Sequence, residues 1–278
     1  TSDLPRQVCE QYGIQIVPLK VHFGEETFRD GGDLQPDRFY EMLDRSVQLP
    51  TTSQPSPADF VETYKRIIEQ DPQAQIISVH ISSVLSGTYQ SAQLAKSLLD
   101  TDVDIAVLDS KTTSYGLGWM AVTLAQTAQA GATVAECLQK AEQARNRMAL
   151  YFIVDTLEYL QKGGRIGKAA ALAGSLLQIK PLLSLDEEGA IYSVDKVRGR
   201  KKAMDRIIDL LNQQFSSNEQ VYAFFPQAGT ETGVAALSER VRERFNVVQS
   251  DYTSVGPVLG THVGPGTFAV IMVPAEDE

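Results

Sequence analysis

Apolar residues recur along this chain in two rhythms. Short runs of β-branched and aliphatic residues, Ile76–Ile81 and Ile105–Leu108, have the length and composition of buried parallel strands. Longer stretches with helical spacing alternate with them: Ala58–Gln70, Ser114–Gly131 and the amphipathic, charged Val134–Met148. Gly13–Phe23 (GIQIVPLKVHF) reads as extended, with Pro18 forcing a bend or an edge inside it. A short helix is expected over Pro36–Val47, starting near Asp33 or Gln35, and after it a polar loop, Leu49–Pro57, punctuated by prolines. Ser56 is suited to cap the following helix, with Pro57 at its first position. This alternation predicts an α/β layer fold with right-handed crossovers.

Beyond Tyr151 the rhythm changes. Leu150–Leu157 reads as a strand, Gly163–Ile166 (GGRI) as a break, and Lys168–Leu177 as a helical piece rich in Ala, Leu and Gly. Strand patterns at Pro181–Leu185, Ile191–Val197, Val221–Pro226, Val247–Val255 and Thr267–Val273 enclose helices at Lys202–Phe215 and Thr230–Phe245. More strands per helix predict a mixed sheet covered by helices on one face. They also place a domain boundary near residue 149, dividing the chain into 1–149 and 150–278. There is no internal repeat and no low-complexity segment.

Composition narrows the picture. A length of 278 residues suits one large domain or two ordinary ones, and 43% apolar with 22% charged residues is the mix of a globular protein. Twenty-five basic against 35 acidic residues give a net charge of −10. General nucleic-acid binding and adsorption to an anionic membrane are therefore disfavoured, and any anion must meet a local patch or backbone amides. Cys9 and Cys137 match no metal-ligand spacing and suggest a reducing compartment. No apolar run approaches the roughly 18 residues of a membrane span, and the N-terminus lacks a signal-peptide hydrophobic region. The expectation is a cytoplasmic protein without metal, organic cofactor, nucleic-acid partner or stable membrane insertion.

Candidate chemistry gathers in four places. In Ile76–Ala92 (IISVHISSVLSGTYQSA) an apolar strand ends in a Ser/Gly-rich turn that leads at once into a helix. Such a turn aims backbone N–H groups and a helix dipole at an anion, beyond a strand C-terminus where α/β sheets bind ligands. Ser82, Ser83, Ser86 and Thr88 add hydroxyls, so a phosphate or carboxylate fits, although Ser86 and Thr88 would also serve as plain helix caps. The turn has neither the Lys of a P-loop nor dinucleotide spacing. Pro50–Ser56 (PTTSQPS) is by itself a turn before a capped helix, and gains meaning if Thr52 and Ser53 join Ser86 around one head group. In Gly260–Gly266 (GTHVGPG) the glycines suggest a tightly folded backbone that lets His262 reach a site, whereas His80 reads as a satisfied core residue and His22 as strand decoration. Lys196–Lys202 (KVRGRKK) places five cations in seven residues, and Arg165 adds one in the GGRI turn. In so acidic a chain they are either a solvated face or a local field for a partner or phosphate. Ser86 and His262 also leave open a serine hydrolase or acyltransferase, although LSGTY is not the nucleophile elbow and no carboxylate lies near His262 in sequence. A small-anion sensor is a further reading.

Seven blocks carry a resemblance. TSDLP at the N-terminus, TTSQPSP at 51–57, ISSVLSGTYQSA at 81–92, DTLEYLQKGGRI at 155–166, IKPLL at 179–183, KVRGRKKA at 196–203 and GTHVGPGTFAV at 260–270 occur in order over nearly the whole chain. In these the sequence resembles the DegV family of bacterial fatty-acid-binding proteins. The resemblance implies a three-layer α/β/α domain with a parallel sheet and a two-layer α/β domain with a mixed sheet. One long-chain fatty acid would lie between them. It implies that Thr52 and Ser86 hold the carboxylate, with Ser53 in the same loop and the Gly87 N–H assisting, and that His262 lies near the head group. Arg165, Lys196 and Arg198 would face a partner, an ATP-dependent fatty acid kinase that converts the bound acid to an acyl phosphate. The binding protein itself would be no enzyme. Family members usually begin with a short strand running into Asp-Ser ahead of the TSDLP block. The sequence begins at Thr1, within that block, so no head-group role is carried over from that strand.

Overall fold

The computed structural model describes residues 1–100, 102–172, 179–229 and 233–275. Its first part holds α1 (Arg6–Tyr12), β1 (Lys20–Phe23), β2 (Glu26–Arg29), α2 (Pro36–Arg45) and β3 (Thr51–Ser53). The three strands form an antiparallel sheet in the order β2-β1-β3. Next come α3 (Pro57–Gln70), β4 (Ile76–His80), α4 (Thr88–Leu98), β5 (Ile105–Asp109), α5 (Ser114–Gln129) and α6 (Val134–Asn146). β4 and β5 pair in parallel, with Ile76 opposite Ile105 and His80 opposite Asp109.

Strand alternation explains the layers around this parallel pair. Ile76, Ile105 and Val107 pack with Phe60 and Tyr64 of α3 and Ala92 and Ala95 of α4. Ile77, Val79 and Leu108 meet Met120 and Leu124 of α5 and Cys137 and Ala141 of α6 on the opposite face. The start of α3 follows its capping chemistry. Asp59 N–H donates to Ser56 Oγ, Ser56 N–H donates back to the Asp59 carboxylate, and Pro57 occupies the first turn. The outer edge of β4 borders a groove between residues 12–19, α3 and α5.

A third sheet begins at Ala149. It contains β6 (Ala149–Ile153), β7 (Ile179–Leu185), β8 (Ile191–Arg198), β9 (Gln220–Gln227), β10 (Asn246–Ser254) and β11 (Phe268–Pro274), in the order β10-β9-β11-β6-β7-β8. Only β9 and β10 run parallel, so the sheet is mixed. α8 (Arg200–Gln214) and α9 (Val234–Arg244) cover one face, where Ile207, Leu211, Leu237 and Val241 meet Ile153, Phe225, Val270 and Met272. The intervening residues of the same strands point the other way, toward α7 (Glu158–Lys162), α10 (Pro257–Val263) and the first part of the chain. α10 bridges to that part, for Val258 packs with Leu19, Val21, Phe39 and Leu43.

Several expectations need correction. Only Lys20–Phe23 of the stretch Gly13–Phe23 is a strand; Gly13 (φ 65°) closes α1, which the pattern did not signal, and residues 14–19 pair with no strand. The stretch expected as a polar loop contains β3, where β-branched Thr51 and Thr52 suit the edge of β1. The strand expected over Leu150–Leu157 ends at Ile153, and α7 follows. His262 stands on the helix α10 rather than in a glycine turn, with Pro257 supplying the helix start. Of the helical piece expected over Lys168–Leu177, Gly167–Leu172 form a 3₁₀ turn and residues 173–177 lie outside the described residues. Residues 230–232 at the start of the expected helix Thr230–Phe245 likewise lie outside them.

Candidate functional site

Between the two halves lies a cleft with about 970 Å³ of atom-free space, part of it open to solvent. Its walls follow from the alternation just described. Leu150 and Phe152 of β6 and Ala269 and Ile271 of β11 are the residues that do not face α8 and α9, and they line one side. Ile81 and Leu85 beyond β4, with Val258 and Leu259 of α10, line the other.

Polar groups gather where these elements meet. Thr52, Ser53, Ser86, Arg165 and His262, five of the residues singled out from sequence, all line the cleft. Thr52 Oγ1 lies 2.8 Å from His262 Nε2, a contact between residues 210 positions apart. Ser86 Oγ lies 2.8 Å from Thr88 Oγ1 and accepts weakly from the Thr88 N–H at 3.4 Å. Gly87 takes the N-cap position of α4, which has no side-chain cap. A Cβ on Gly87 would stand 2.5 Å from Gln54 Nε2, so the absence of a side chain lets Gln54 close over the turn. Arg165 reaches in from the GGRI turn. Its Nε donates to Leu85 O at 3.1 Å and an Nη donates to Gly163 O at 2.7 Å, which leaves further N–H donors of the guanidinium for a ligand.

His262 is neutral at physiological pH. Burial pushes its imidazole down to about 4, and the nearby Arg165 guanidinium pushes the same way. Its Nδ1 is buried without a hydrogen-bond partner, and Gly163 packs so closely against it that a methyl there would collide. A buried N–H without an acceptor is rarer than a buried lone pair without a donor. The proton therefore sits on Nε2, which donates to Thr52 Oγ1, and the Thr52 hydroxyl proton remains available to an acceptor in the cleft. Ser53 differs from Thr52 because adjacent strand residues face opposite sides. Its hydroxyl lies 2.9 Å from His22 Nε2, and His22 Nδ1 lies 2.9 Å from Thr27 Oγ1. His22, expected as decoration, thus ties β3 across β1 to β2. His80 is 6% exposed, its Nε2 is 2.9 Å from Ser78 Oγ, and burial pushes it down to about 4, as befits a core residue.

Three further expected residues do not line the cleft: Gly87, Lys196 and Arg198. Lys196 and Arg198 are exposed on β8, while Val197 between them packs on the core. Arg200 of the same basic block pairs with Asp155 at 2.6 Å. Sequence reasoning passed over Gln54, which lines the cleft, and Asp109. Asp109 Oδ1 accepts the N–H groups of Ser83 (3.1 Å) and Lys111 (3.0 Å) and so anchors the Ser86 turn. Among the described residues no cluster of three or more His, Cys, Asp or Glu is arranged to hold a metal ion, and no helix is long and apolar enough to cross a membrane.

Fold and site together define a class: an α/β protein with a parallel sheet, a separate mixed sheet and an apolar cleft closed at one side by hydroxyls, a neutral imidazole and a guanidinium. Comparison with known proteins gives the family. The family model described as "Uncharacterised protein, DegV family" matches residues 1–275. Protein DegV of Bacillus subtilis is 35% identical over 271 residues, covering 97% of this chain and 95% of that one. A solved DegV family protein from Thermus thermophilus, described by its fatty acid binding, superposes with a TM-score of 0.92 at 34% identity, covering 99% of this chain and 97% of that one. A stearic-acid-binding protein from Eubacterium ventriosum superposes with a TM-score of 0.88 at 26% identity, covering 98% and 95%. The chain belongs to the DegV family.

Proposed function

We propose that this protein binds one long-chain fatty acid in the cleft between an N-terminal domain (1–149) and a C-terminal domain (150–278). It then offers the carboxylate to an ATP-dependent kinase for conversion to acyl phosphate. The observation that carries the reading is the polarity of the cleft: apolar side chains from the mixed sheet, from α10 and from the turn after β4 line its walls, and Ser86, Thr52, His262 and Arg165 gather together within it. Relatives of this family described as fatty-acid binding support the same ligand.

The proportions suit a fatty acid. A saturated sixteen-carbon tail carries about 14 methylenes, whose burial at about 0.8 kcal/mol each offers on the order of 10 kcal/mol gross. A carboxylate beside a helix N-terminus gains only about 0.3–1 kcal/mol from the dipole, plus its hydrogen bonds. The tail supplies affinity, and Ser86, the Gly87 N–H and Thr52 set the position of the head group. Neutral His262 orients the Thr52 hydroxyl without adding charge. Hydroxyl donors leave the carboxylate oxygen nucleophilic toward the γ-phosphorus of ATP, where a close ion pair would blunt it, and Arg165, tied to Leu85 O and Gly163 O, keeps its remaining donors for the incoming phosphate. Arg165 at the mouth and the exposed Lys196 and Arg198 form the face toward the kinase.

A serine hydrolase is the weaker reading. It needs Ser86 Oγ on the imidazole of His262, but Ser86 Oγ partners Thr88 Oγ1 and His262 Nε2 partners Thr52 Oγ1. The first test is to denature the purified protein, extract it with organic solvent and look for fatty acid by mass spectrometry, repeating after incubation with palmitate and oleate. A near-stoichiometric long-chain acid is expected, and a blank in both experiments would remove the lipid reading. For the kinase step, Lys196→Glu with Arg198→Glu is expected to leave palmitate affinity unchanged and to lower its phosphorylation. Normal phosphorylation of the double variant would refute the assignment of that face.

A further inference from the structure

The turn that carries Ser86 is tied to a distant hairpin through one residue. Ser82 is fully buried and does not line the cleft. Its carbonyl accepts the N–H groups of Leu85 (3.0 Å) and Ser86 (3.1 Å), and its own N–H donates to Thr112 O at 2.9 Å. Its hydroxyl donates to Gly189 O at 2.9 Å, a bond across 107 residues of sequence that joins the Ser86 turn to the tip of the β7–β8 hairpin.

That tip is a defined structure. Asp186 N–H donates to Ala190 O, Gly189 N–H donates to Asp186 O, and Asp186 Oδ1 accepts the N–H groups of Glu188 and Ala190 at 3.0 and 2.9 Å. Gly189 sits at φ +84°, where other residues are strained, and a methyl on it would collide with Ser82 Oγ and stand 3.0 Å from Lys111 Cα. Lys168 Nζ, three residues beyond Arg165, donates to Asp186 Oδ2 at 2.5 Å, while Arg165 itself holds Leu85 O. The Ser86 turn, the Arg165 turn and the hairpin tip thus form a closed ring of contacts beside the cleft.

On the reading that the cleft takes a fatty acid, we propose that Ser82 is a positioning residue that couples occupancy of the head-group site to docking of the hairpin tip. A carboxylate held at Ser86 stiffens the turn, the stiffened turn presents the Ser82 hydroxyl to Gly189 O, and the docked tip slows escape of the acid. Linkage makes the effect reciprocal: whatever the tip adds to affinity, the ligand returns as protection of the tip.

Hydrogen exchange read by mass spectrometry on residues 186–190, with and without palmitate, tests this together with palmitate dissociation rates. In the wild type, palmitate is expected to slow exchange of the tip. Ser82→Ala is expected to bind palmitate still, to lose that protection, and to release palmitate about threefold to tenfold faster, the range for one hydrogen bond. Gly189→Ala is expected to speed release as well. Because its methyl strikes the Ser82 hydroxyl, the double variant should release palmitate no faster than Gly189→Ala alone. A wild type that binds palmitate without protecting the tip would overturn the coupling, and full protection in Ser82→Ala would overturn its assignment to Ser82. A wild type that binds no palmitate would bring down the fatty-acid reading itself, and this proposal with it.

Discussion

Replacing Ser86 by alanine separates head from tail. The Thr88 hydroxyl, 2.8 Å away, can donate to Ser86 Oγ and leave the Ser86 proton for a carboxylate oxygen. A hydrogen bond to a charged group contributes about 1.5–3 kcal/mol. Ser86 is half-buried, so water replaces part of the loss and about 2 kcal/mol remains, or roughly thirtyfold in Kd. Shortening the ligand from palmitate to myristate removes two methylenes, about 1.6 kcal/mol or roughly fifteenfold. The two changes act far apart along the cleft, so their free energies should add within about 0.5 kcal/mol. Isothermal titration of delipidated wild type and Ser86→Ala with both acids gives all four values. The melting temperature should hardly move, because Ser86 lies outside the packed core. A variant that binds palmitate within twofold of the wild type would place the carboxylate elsewhere. A Ser86 effect that vanishes with myristate would refute the separation of head and tail.

Three further outcomes are expected. Gly163→Ala drives a methyl against His262 Nδ1 and should destabilise the fold by about 1–3 kcal/mol, as overpacking does, with most of the loss recovered when His262→Ala is added; thermal melts of the single and double variants check it. His80 and His262 are both pushed down to about 4 from 6.5, so the unfolded chain takes up protons that the folded chain refuses as pH falls. Stability should therefore be full above about pH 6.5 and decline toward pH 4, with His262→Gln flattening the slope in urea titrations, and equal midpoints at pH 7 and 5 would count against two buried neutral imidazoles. Ser56→Ala removes the capping box of α3 and should lower stability by about 1 kcal/mol in urea denaturation, whereas an unchanged midpoint would show that packing alone holds that helix end.

How much of this was legible depends on the range of the interactions involved. β4, β5, β6, β9 and β11 were readable because burial writes nearly continuous apolar runs, and α3 because capping is local chemistry. β3 has three residues between prolines and exists only because β1 offers it an edge, so nothing within Leu49–Pro57 announces it. That strand also decides what its neighbours do: Thr52 turns to His262 and Ser53 turns to His22, a distinction a loop would not impose. The candidate residues themselves were visible as unusual clusters of hydroxyl, glycine and histidine. Their partners were not, since Thr52 with His262 and Ser82 with Gly189 meet across 210 and 107 residues.

The placement of β11 bears on how the chain acquires its structure. This strand comes last among the described elements, yet it lies inside the sheet, antiparallel to β9 on one side and β6 on the other. During synthesis the five remaining strands of the mixed sheet can form only two separate pieces, β10-β9 and β6-β7-β8, until residues 268–274 leave the ribosome. Until then the apolar inner faces of both pieces stand open to water. Joining them requires β11 to pair with β6, Met272 opposite Ala149, a long-range contact of the kind that folds slowly and leaves sticky surface exposed meanwhile. A nascent chain stalled before Phe268 therefore exposes apolar strand faces, and the cleft comes into being only late, once β11 is in place.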